Sequence, residues 1–236
     1  MTIFIDANQE LVTWDLIAQA GQFRPYNGRA ARNDTVLRWG CNGGQSTYPE
    51  GVRVLNRRII LDKHTQWELM SQGNVPMPKV YTTRRQWQDD GFPEALRKPR
   101  IGQMGTGIAK ITRSHTWSPI NIYQEYIPKT HEYRAMMVGN ISAFFMEKHP
   151  PENGDIRWNE HRGAIWTGVP EDGRLRRNVK RIGKKALDAL GYDFGAMDVI
   201  MAPDGRLLVL EVNSRPEFGR VNAERFARSV LSYLQG

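Results

Sequence analysis

Three oxygen-bearing side chains near the C-terminus have the type and the spacing of a divalent-cation site. Asp198 and Glu211 each interrupt an apolar run, and Asn213 follows Glu211 by two residues. Because side chains alternate between the two faces of a strand, Glu211 and Asn213 share a face. Carboxylate and amide oxygens suit Mg2+ or Mn2+. The pattern favours a metal site over the alternative, in which both acids form salt bridges on an exposed strand edge.

A β-hairpin is needed to bring the two acids together. The segments MDVIMA and LLVLEV read as strands, and Asp204-Gly205 between them reads as a tight turn. If this turn closes the hairpin, Asp198 lies near Glu211 across the pair. The sequence DVIMAPDGRLLVLEVNSRP resembles the metal-binding hairpin of the ATP-grasp superfamily. It is most similar to the branch of ribosomal-protein-modifying glutamate ligases and other carboxylate-amine ligases.

A glycine-rich segment between two further strands has features of a phosphate-covering loop. The first strand ends at Lys98, the loop contains Gly102, Gly105 and Gly107, and IAKI returns as a strand. Glycines let backbone N–H groups approach an anion closely, and a lysine neutralises phosphate as a point charge. Ordinary hairpins use the same residues, and neither the P-loop nor the dinucleotide pattern matches. The segment resembles the flap of ATP-grasp enzymes, which implies a phosphate role for Lys98.

A helix is predicted from about Asp62 to Gln72, with Gly73-Asn74 as its end. This stretch resembles the start of the ATP-grasp nucleotide domain. The resemblance implies that Lys63 reaches the nucleotide phosphates, whereas from the residues alone Lys63 could equally be a solvated side chain of the first helical turn.

The apolar strand YQEYI contains polar residues, which could mark a segment that binds a nucleotide base. Such a segment can offer backbone groups to an adenine edge, although an exposed edge strand would explain them as well. The stretch resembles the adenine-binding linker of ATP-grasp ligases. This implies adenine contacts from Gln124, Glu125, Tyr126 and Ile127. It also implies that Glu132 holds the ribose hydroxyls and that Arg134 faces the phosphates or the reacting carboxylate.

Residues 155–169 resemble the R-x-N-x-x-x-G segment of the glutamate-ligase branch. The resemblance implies that Arg157, Asn159 and Arg162 hold the acyl-phosphate and the substrate carboxylate, since a guanidinium can clamp an oxyanion with two parallel hydrogen bonds. Arg215, just beyond Asn213, is a further candidate for substrate contact. Without the resemblance, loop arginines of this kind are more often solvated.

The composition limits the class of protein. The 236 residues carry a formal net charge of +8, and their single cysteine, Cys41, excludes an internal disulfide and a cysteine-based zinc site. No apolar run of about 18 residues and no signal-peptide pattern is present, which argues against a membrane-spanning or secreted form and favours a cytoplasmic protein. Much of the positive charge lies in residues 174–185, either as a solvated helix face or as a surface for a polyanion.

We therefore expect an α+β protein of the ATP-grasp fold with two lobes that enclose ATP. Residues 1–55 would form a reduced N-terminal lobe of two or three strands, and residues 56–236 the nucleotide-binding and catalytic domain. The expected activity is ATP-dependent ligation of a carboxylate to an amine through an acyl-phosphate, with Mg2+ or Mn2+ and an amino-acid, peptide or protein substrate, acidic as a first guess. The alternatives are a basic nucleic-acid-binding protein without ATP turnover, and a kinase or nucleotide-binding regulator on the same fold.

Overall fold

A computed structural model of the chain describes residues 1–7, 12–40, 48–102, 105–158, 160–169 and 173–236. In this part of the chain, three β-sheets and five α-helices form a mixed α+β fold, as the sequence predicts. None of the helices described is long and apolar enough to cross a bilayer.

The first sheet is parallel and has the order β2-β1-β3-β4. Its strands are β1 (Ile3–Ala7), β2 (Arg24–Pro25), β3 (Thr35–Trp39) and β4 (Arg53–Leu55). Helix α1 (Val12–Gly21) follows β1. The expectation of two or three strands was too low, because β2 is a two-residue strand that carries no alternation of its own. The domain boundary at residues 55 and 56 stays a prediction.

The second sheet is antiparallel, with the order β5-β8-β6-β7. Its strands are β5 (Val80–Tyr81), β6 (Ala95–Pro99), β7 (Ala109–Ile111) and β8 (Asn121–Glu125). Helix α3 (Arg84–Asp89) contacts β5, whereas helix α2 (Lys63–Gln72) packs on the third sheet and on a helix that covers it. The predicted helix is confirmed in α2. The Asp62 carboxylate caps it by accepting from the His64 N–H at 2.8 Å, and Gly73 ends it.

The third sheet is antiparallel and carries the predicted hairpin at one edge, in the order β11-β10-β9-β12-β13. Its strands are β9 (His131–Val138), β10 (Ile141–His149), β11 (Ile165–Gly168), β12 (Phe194–Met201) and β13 (Leu207–Asn213). On one face of this third sheet, helix α5 (Arg220–Gln235) and the first sheet pack into a common apolar core around Phe194 and Phe226. Helix α4 (Arg174–Leu190) packs on the opposite face, around Met197 and Val209.

A β-bulge in β13 decides on which side of the sheet Glu211 lies. The turn forms as predicted, with the Gly205 N–H donating to the Ala202 carbonyl at 2.9 Å. From the turn, the ladder runs regularly to the pair Val199 and Val209; Leu210 then has no partner, and Asp198 faces Glu211. An uninterrupted ladder would put Leu210 opposite Asp198 and Glu211 on the α4 side. The extra residue therefore brings both carboxylates onto one face.

Candidate functional site

A row of charged side chains crosses three neighbouring strands of the third sheet. Arg134 on β9, Asp198 on β12 and Glu211 on β13 occupy adjacent register positions. Arg134 donates from Nε and Nη2 to the two oxygens of Asp198, both at 2.8 Å. Asn213 donates from Nδ2 to Glu211 Oε1 at 3.3 Å. The structure thus brings the three predicted metal ligands together, with Arg134 on the carboxylate of Asp198.

Neighbouring cations keep the Asp198 carboxylate ionised although its burial disfavours the charge. Asp198 is only 6% exposed, and burial alone would raise the pKa of its carboxyl. The positive charges of Arg134, Lys148 and Lys129 outweigh that effect and lower this pKa to about 2. Asp198 is therefore ionised at neutral pH and available as a hard anionic ligand.

The donor set fits a magnesium-type ion that shares its coordination with a substrate. Among the described residues, no three His, Cys, Asp or Glu side chains converge on one point, so a closed cage made by protein alone is absent there. Two carboxylates at the wall of an open cavity, with the Asn213 amide hydrogen-bonded to one of them, match the preference of Mg2+ for one or two carboxylates plus phosphates and water.

A central cavity opens beside this row, and lysines dominate its polar wall. Its described lining includes Asp198 and Glu211, the basic residues Lys63, Lys98, Lys129, Lys148 and Arg157, and the apolar residues Leu96, Pro99, Ile108, Ile156 and Leu210. A lining that combines cations with aliphatic side chains suits a ligand with both a polyphosphate and a flat apolar ring, as in a nucleotide.

The two predicted phosphate lysines both line this cavity. Lys63 is the first residue of α2; its Nζ donates to the Gly102 carbonyl at 2.6 Å and lies 3.7 Å from Glu211 Oε2. Lys98 on β6 is partly buried and donates to the side-chain oxygen of Gln124. Burial lowers the pKa of Lys98 to about 8, so its charge is sensitive to pH near neutrality and to any bound anion.

A buried acid between two further lysines forms the floor of the cavity. Glu132 is 4% exposed, and Lys129 and Lys148 each donate to one of its two oxygens. The Lys129 ammonium lies 4.4 Å from the centre of the Trp158 ring. Sequence reasoning gave Glu132 a ribose role and missed both lysines. The one signal for them was Lys148, a buried cation that follows the apolar run of β10 near the end of that strand.

Trp166 on β11 supports two of the cations. Lys148 Nζ lies 4.8 Å from the centre of its ring, and the Arg134 guanidinium carbon lies 5.0 Å from it. A cation over an indole face is stabilised by the ring quadrupole, and more so in a desolvated site. Trp166 thus contacts the same two cations that contact Glu132 and Asp198.

The glycine-rich loop lies over the cavity as predicted. Gly102, Gly105 and Thr106 line the cavity, and the backbone of Gly105 and Gly107 has φ angles of 66° and 74°. A side chain at Gly107 would bring a Cβ within 2.7 Å of the Pro99 ring, so the loop can fold back on β6 only with glycine there. Residues 103 and 104 lie outside the described residues.

The predicted adenine linker reaches the site only in part. Gln124 lines a neighbouring pocket with Lys98, and Ile127 packs on the apolar cluster of Ile200 and Leu208. The Glu125 N–H donates to the Lys79 carbonyl and the Tyr126 N–H to the Glu94 carbonyl, both at 2.8 Å.

The side chains of these two linker residues are directed to protein partners. Glu125 Oε2 accepts from the Lys79 N–H at 3.3 Å, and Lys110 Nζ lies 3.9 Å from the centre of the Tyr126 ring. Neither Glu125 nor Tyr126 belongs to the described lining of the cavity.

The predicted substrate arginines divide into two places. Arg157 lines the cavity and is held by Asp155, which accepts from its Nε at 2.9 Å and its Nη2 at 2.8 Å; Arg162 Nη1 reaches the same carboxylate at 3.2 Å. The hydrogen bonds from Arg157 lower the pKa of Asp155. Arg215 instead packs on Gly40, at the end of β3. Asn159 lies outside the described residues.

Comparisons with known proteins converge on one family. The model of the RimK-like ATP-grasp domain matches residues 104–226. A probable alpha-L-glutamate ligase 2 of Hahella chejuensis is 32% identical over 225 residues, which cover 85% of this chain and 72% of the relative. A probable alpha-L-glutamate ligase of Mannheimia succiniciproducens is 27% identical over 197 residues, and the chain spans 64% of its length. Among solved structures, the ATP-grasp ligase PsnB complexed with minimal precursor has a TM-score of 0.72 at 14% identity, with 99% of each chain covered.

Proposed function

The chain belongs to the RimK-like ATP-grasp family, and on that premise we propose that it is an ATP-dependent carboxylate-amine ligase. The observation that carries this proposal is the central cavity, where four lysines among the described lining residues surround the Asp198 and Glu211 carboxylates. A ligase that activates a carboxylate with ATP needs this combination, because the triphosphate brings several negative charges to one point.

The proposed reaction has two steps. An oxygen of the substrate carboxylate attacks the γ-phosphorus of ATP, the bond from that phosphorus to the β–γ bridging oxygen breaks, and ADP leaves. A neutral amine nitrogen then attacks the acyl carbon, the carbon–oxygen bond to phosphate breaks, and inorganic phosphate leaves while the nitrogen loses a proton to solvent. Positioning and charge stabilisation supply most of the rate in such phosphoryl transfers.

The residues of the cavity receive distinct roles in this proposal. Lys63 and Lys98 contact phosphate oxygens, with the backbone of Gly102, Gly105 and Gly107 above them. Arg134 and Arg157 orient the substrate carboxylate and the acyl-phosphate. Asp198, Glu211 and Asn213 would hold Mg2+ or Mn2+, which would neutralise phosphate charge.

The substrates are proposed from the chemistry of the family. ATP-grasp ligases bind ATP together with peptide or amino-acid substrates. Because the curated relatives are named alpha-L-glutamate ligases, glutamate is the first amine to test, with acidic peptides as the first carboxylate donors. Arg215 lies apart from the cavity, so we assign it to the side on which the second substrate enters.

An ADP-release assay over amino acids and peptides, with mass spectrometry of the products, tests the proposal. We expect Mg2+-dependent ADP formation and an amide-linked product whose mass is the sum of the two substrate masses less one water molecule. Glu211→Gln should lose this turnover, whereas Glu217→Gln, an exposed acid beyond β13, should keep it. A phosphorylated product would indicate a kinase, and binding of nucleic acid without any response to ATP would indicate the other alternative.

A further inference from the structure

The solvent-facing side of α4 is a strip of cations. It consists of six exposed residues that we call the basic face: Arg174, Arg177, Lys180, Arg181, Lys184 and Lys185. The helix contains seven basic residues and one acid, Asp188, so it accounts for six of the eight net positive charges of the chain. The basic character of the protein is therefore a property of one helix rather than of its whole surface.

Within the part of the chain that the structure describes, few groups neutralise this face. Lys184 donates to Asp188 at 2.5 and 2.6 Å, and Lys185 donates to the Asn74 carbonyl at 2.8 Å. The side chains of Arg177, Lys180 and Arg181 have no hydrogen bond or ion pair with any described residue. Like charges three and four residues apart on a helix repel one another. Without a partner, repulsion among these cations therefore destabilises α4.

The basic face lies on the side of the third sheet opposite the central cavity. The other side of α4 buries Val179, Ile182 and Leu187 against the sheet face that carries Met197 and Val209. Asp198 and Glu211 are on the far face, beside the cavity. These cations are thus separate from those proposed to bind phosphates, and the ligation chemistry does not account for them.

We propose that the basic face binds an acidic segment of a partner polypeptide. Its six cations extend along about 17 Å of helix, which about five or six residues of an extended chain would match. Outside α4 the positive and negative charges of the chain nearly cancel in sum, whereas a nucleic-acid duplex calls for many cations spread over a broad footprint. The exposed residues of α4 include no aromatic ring on which single-stranded bases could stack.

The choice of a polypeptide also rests on the proposed function, in which a peptide or protein is a substrate class. An acidic substrate segment held on the basic face would raise the local concentration of its reacting end at the cavity on the other side. Because the contact is made of exposed charges, binding should be salt-sensitive and should act mainly on the rate of encounter.

Fluorescence anisotropy of the full chain with a labelled polyglutamate peptide of about ten residues tests the proposal. The triple variant R177E/K180E/R181E removes the centre of the basic face. The variant R220E/R225E/R228E makes the same change of net charge on exposed positions of α5 and serves as its control. We expect the α4 variant to weaken peptide binding about tenfold or more, and the α5 variant to weaken it by less than about twofold.

Several outcomes would overturn the proposal: tighter binding of a labelled DNA duplex than of the peptide, equal losses in both variants, or no peptide binding by the wild type. Misfolding does not confuse the result, because the new acids form opposite-charge pairs with Arg174, Lys184 and Lys185 while the pairs among the three positions stay like-charged as before. The α4 variant should therefore melt no lower than the wild type. ADP release with free amino acids is measured separately. Its absence in the wild type would contradict the proposed ligase activity and leave the binding result standing.

Discussion

Replacement of Asp198 by Asn should affect stability and function through two different partners. The amide keeps the size of the side chain but removes its charge, so the largely buried Arg134 guanidinium loses the anion that accepts two hydrogen bonds at 2.8 Å. A buried cation without its counter-ion is costly, whereas loss of the whole pair in favour of apolar side chains is often neutral. Asp198→Asn should therefore destabilise the protein even without nucleotide.

The size of this effect can be estimated in two ways. Removal of one partner from a buried ion pair costs about 3 to 5 kcal/mol, and the partial exposure of Arg134 favours the lower end. The pKa of Asp198 falls from its ordinary 3.8 to about 2, which corresponds to about 2 kcal/mol of stability. Because this pKa is lowered in the folded state, that stability is present above about pH 4 and is lost as the pH falls through about 2.

Urea unfolding of a small set of variants separates the two roles. We expect Asp198→Asn to lose about 2 to 3 kcal/mol, and Arg134→Met with Asp198→Leu to recover most of that loss. We expect Mg2+ to increase the thermal stabilisation of the wild type by ATP, and neither variant should show this increase. Wild-type stability in Asp198→Asn would refute the argument from the buried pair. A full Mg2+ response in the recovered double variant would refute the assignment of Asp198 as a metal ligand.

Three further predictions concern the walls of the site. Bound phosphate should restore the charge of Lys98, whose pKa is about 8, so the nucleotide Kd should rise as the pH increases above about 8, and Lys98→Arg should flatten that profile; a flat wild-type profile would contradict the assignment. Trp166→Leu should raise the KM for ATP about fivefold and Trp166→Phe less, since the ring stabilises two cations; equal effects would point to packing alone. Gly40→Ala, with φ at 57° and a Cβ only 2.2 Å from that of Arg215, should lower the free energy of unfolding by about 2 kcal/mol or more, well beyond Gly205→Ala, where nothing lies within 4 Å.

The elements with strong local signals were predictable from the sequence. The Asp62 cap and Gly73 stop define α2, and the apolar stripe of α4 at Val179, Ile182 and Leu187 is buried as its spacing indicates. Helix α1 was not recognised, and its core-facing side has only three buried residues, one of them Thr13. Local patterns carry information in proportion to how much apolar surface an element buries.

The site was predictable where neighbouring positions follow from a turn, and not where a β-bulge or a distant segment sets the contact. The neighbouring positions of Asp198 and Glu211 followed from a single turn, although the regular ladder from that turn would have placed Leu210 opposite Asp198. The network of Lys129, Glu132 and Lys148 depends on a register shift between Ser142 and Phe144, because a regular ladder from the Gly139-Asn140 turn would place Glu147 opposite Glu132. The protein partners of the adenine linker were not foreseen, because Lys79 and Glu94 come from distant parts of the chain.

The unpaired Leu210 also bears on how the chain finds its native strand alignment. A nascent hairpin that zipped up from its turn without the extra residue would set Glu211 beside Met197, in the apolar layer that α4 covers. Docking of α4 would then strip water from an unpaired carboxylate, at a cost of several kcal/mol. Packing of α4 therefore disfavours the misaligned hairpin relative to the native one. Glu211, which lines the cavity, thus also helps to select the native strand register.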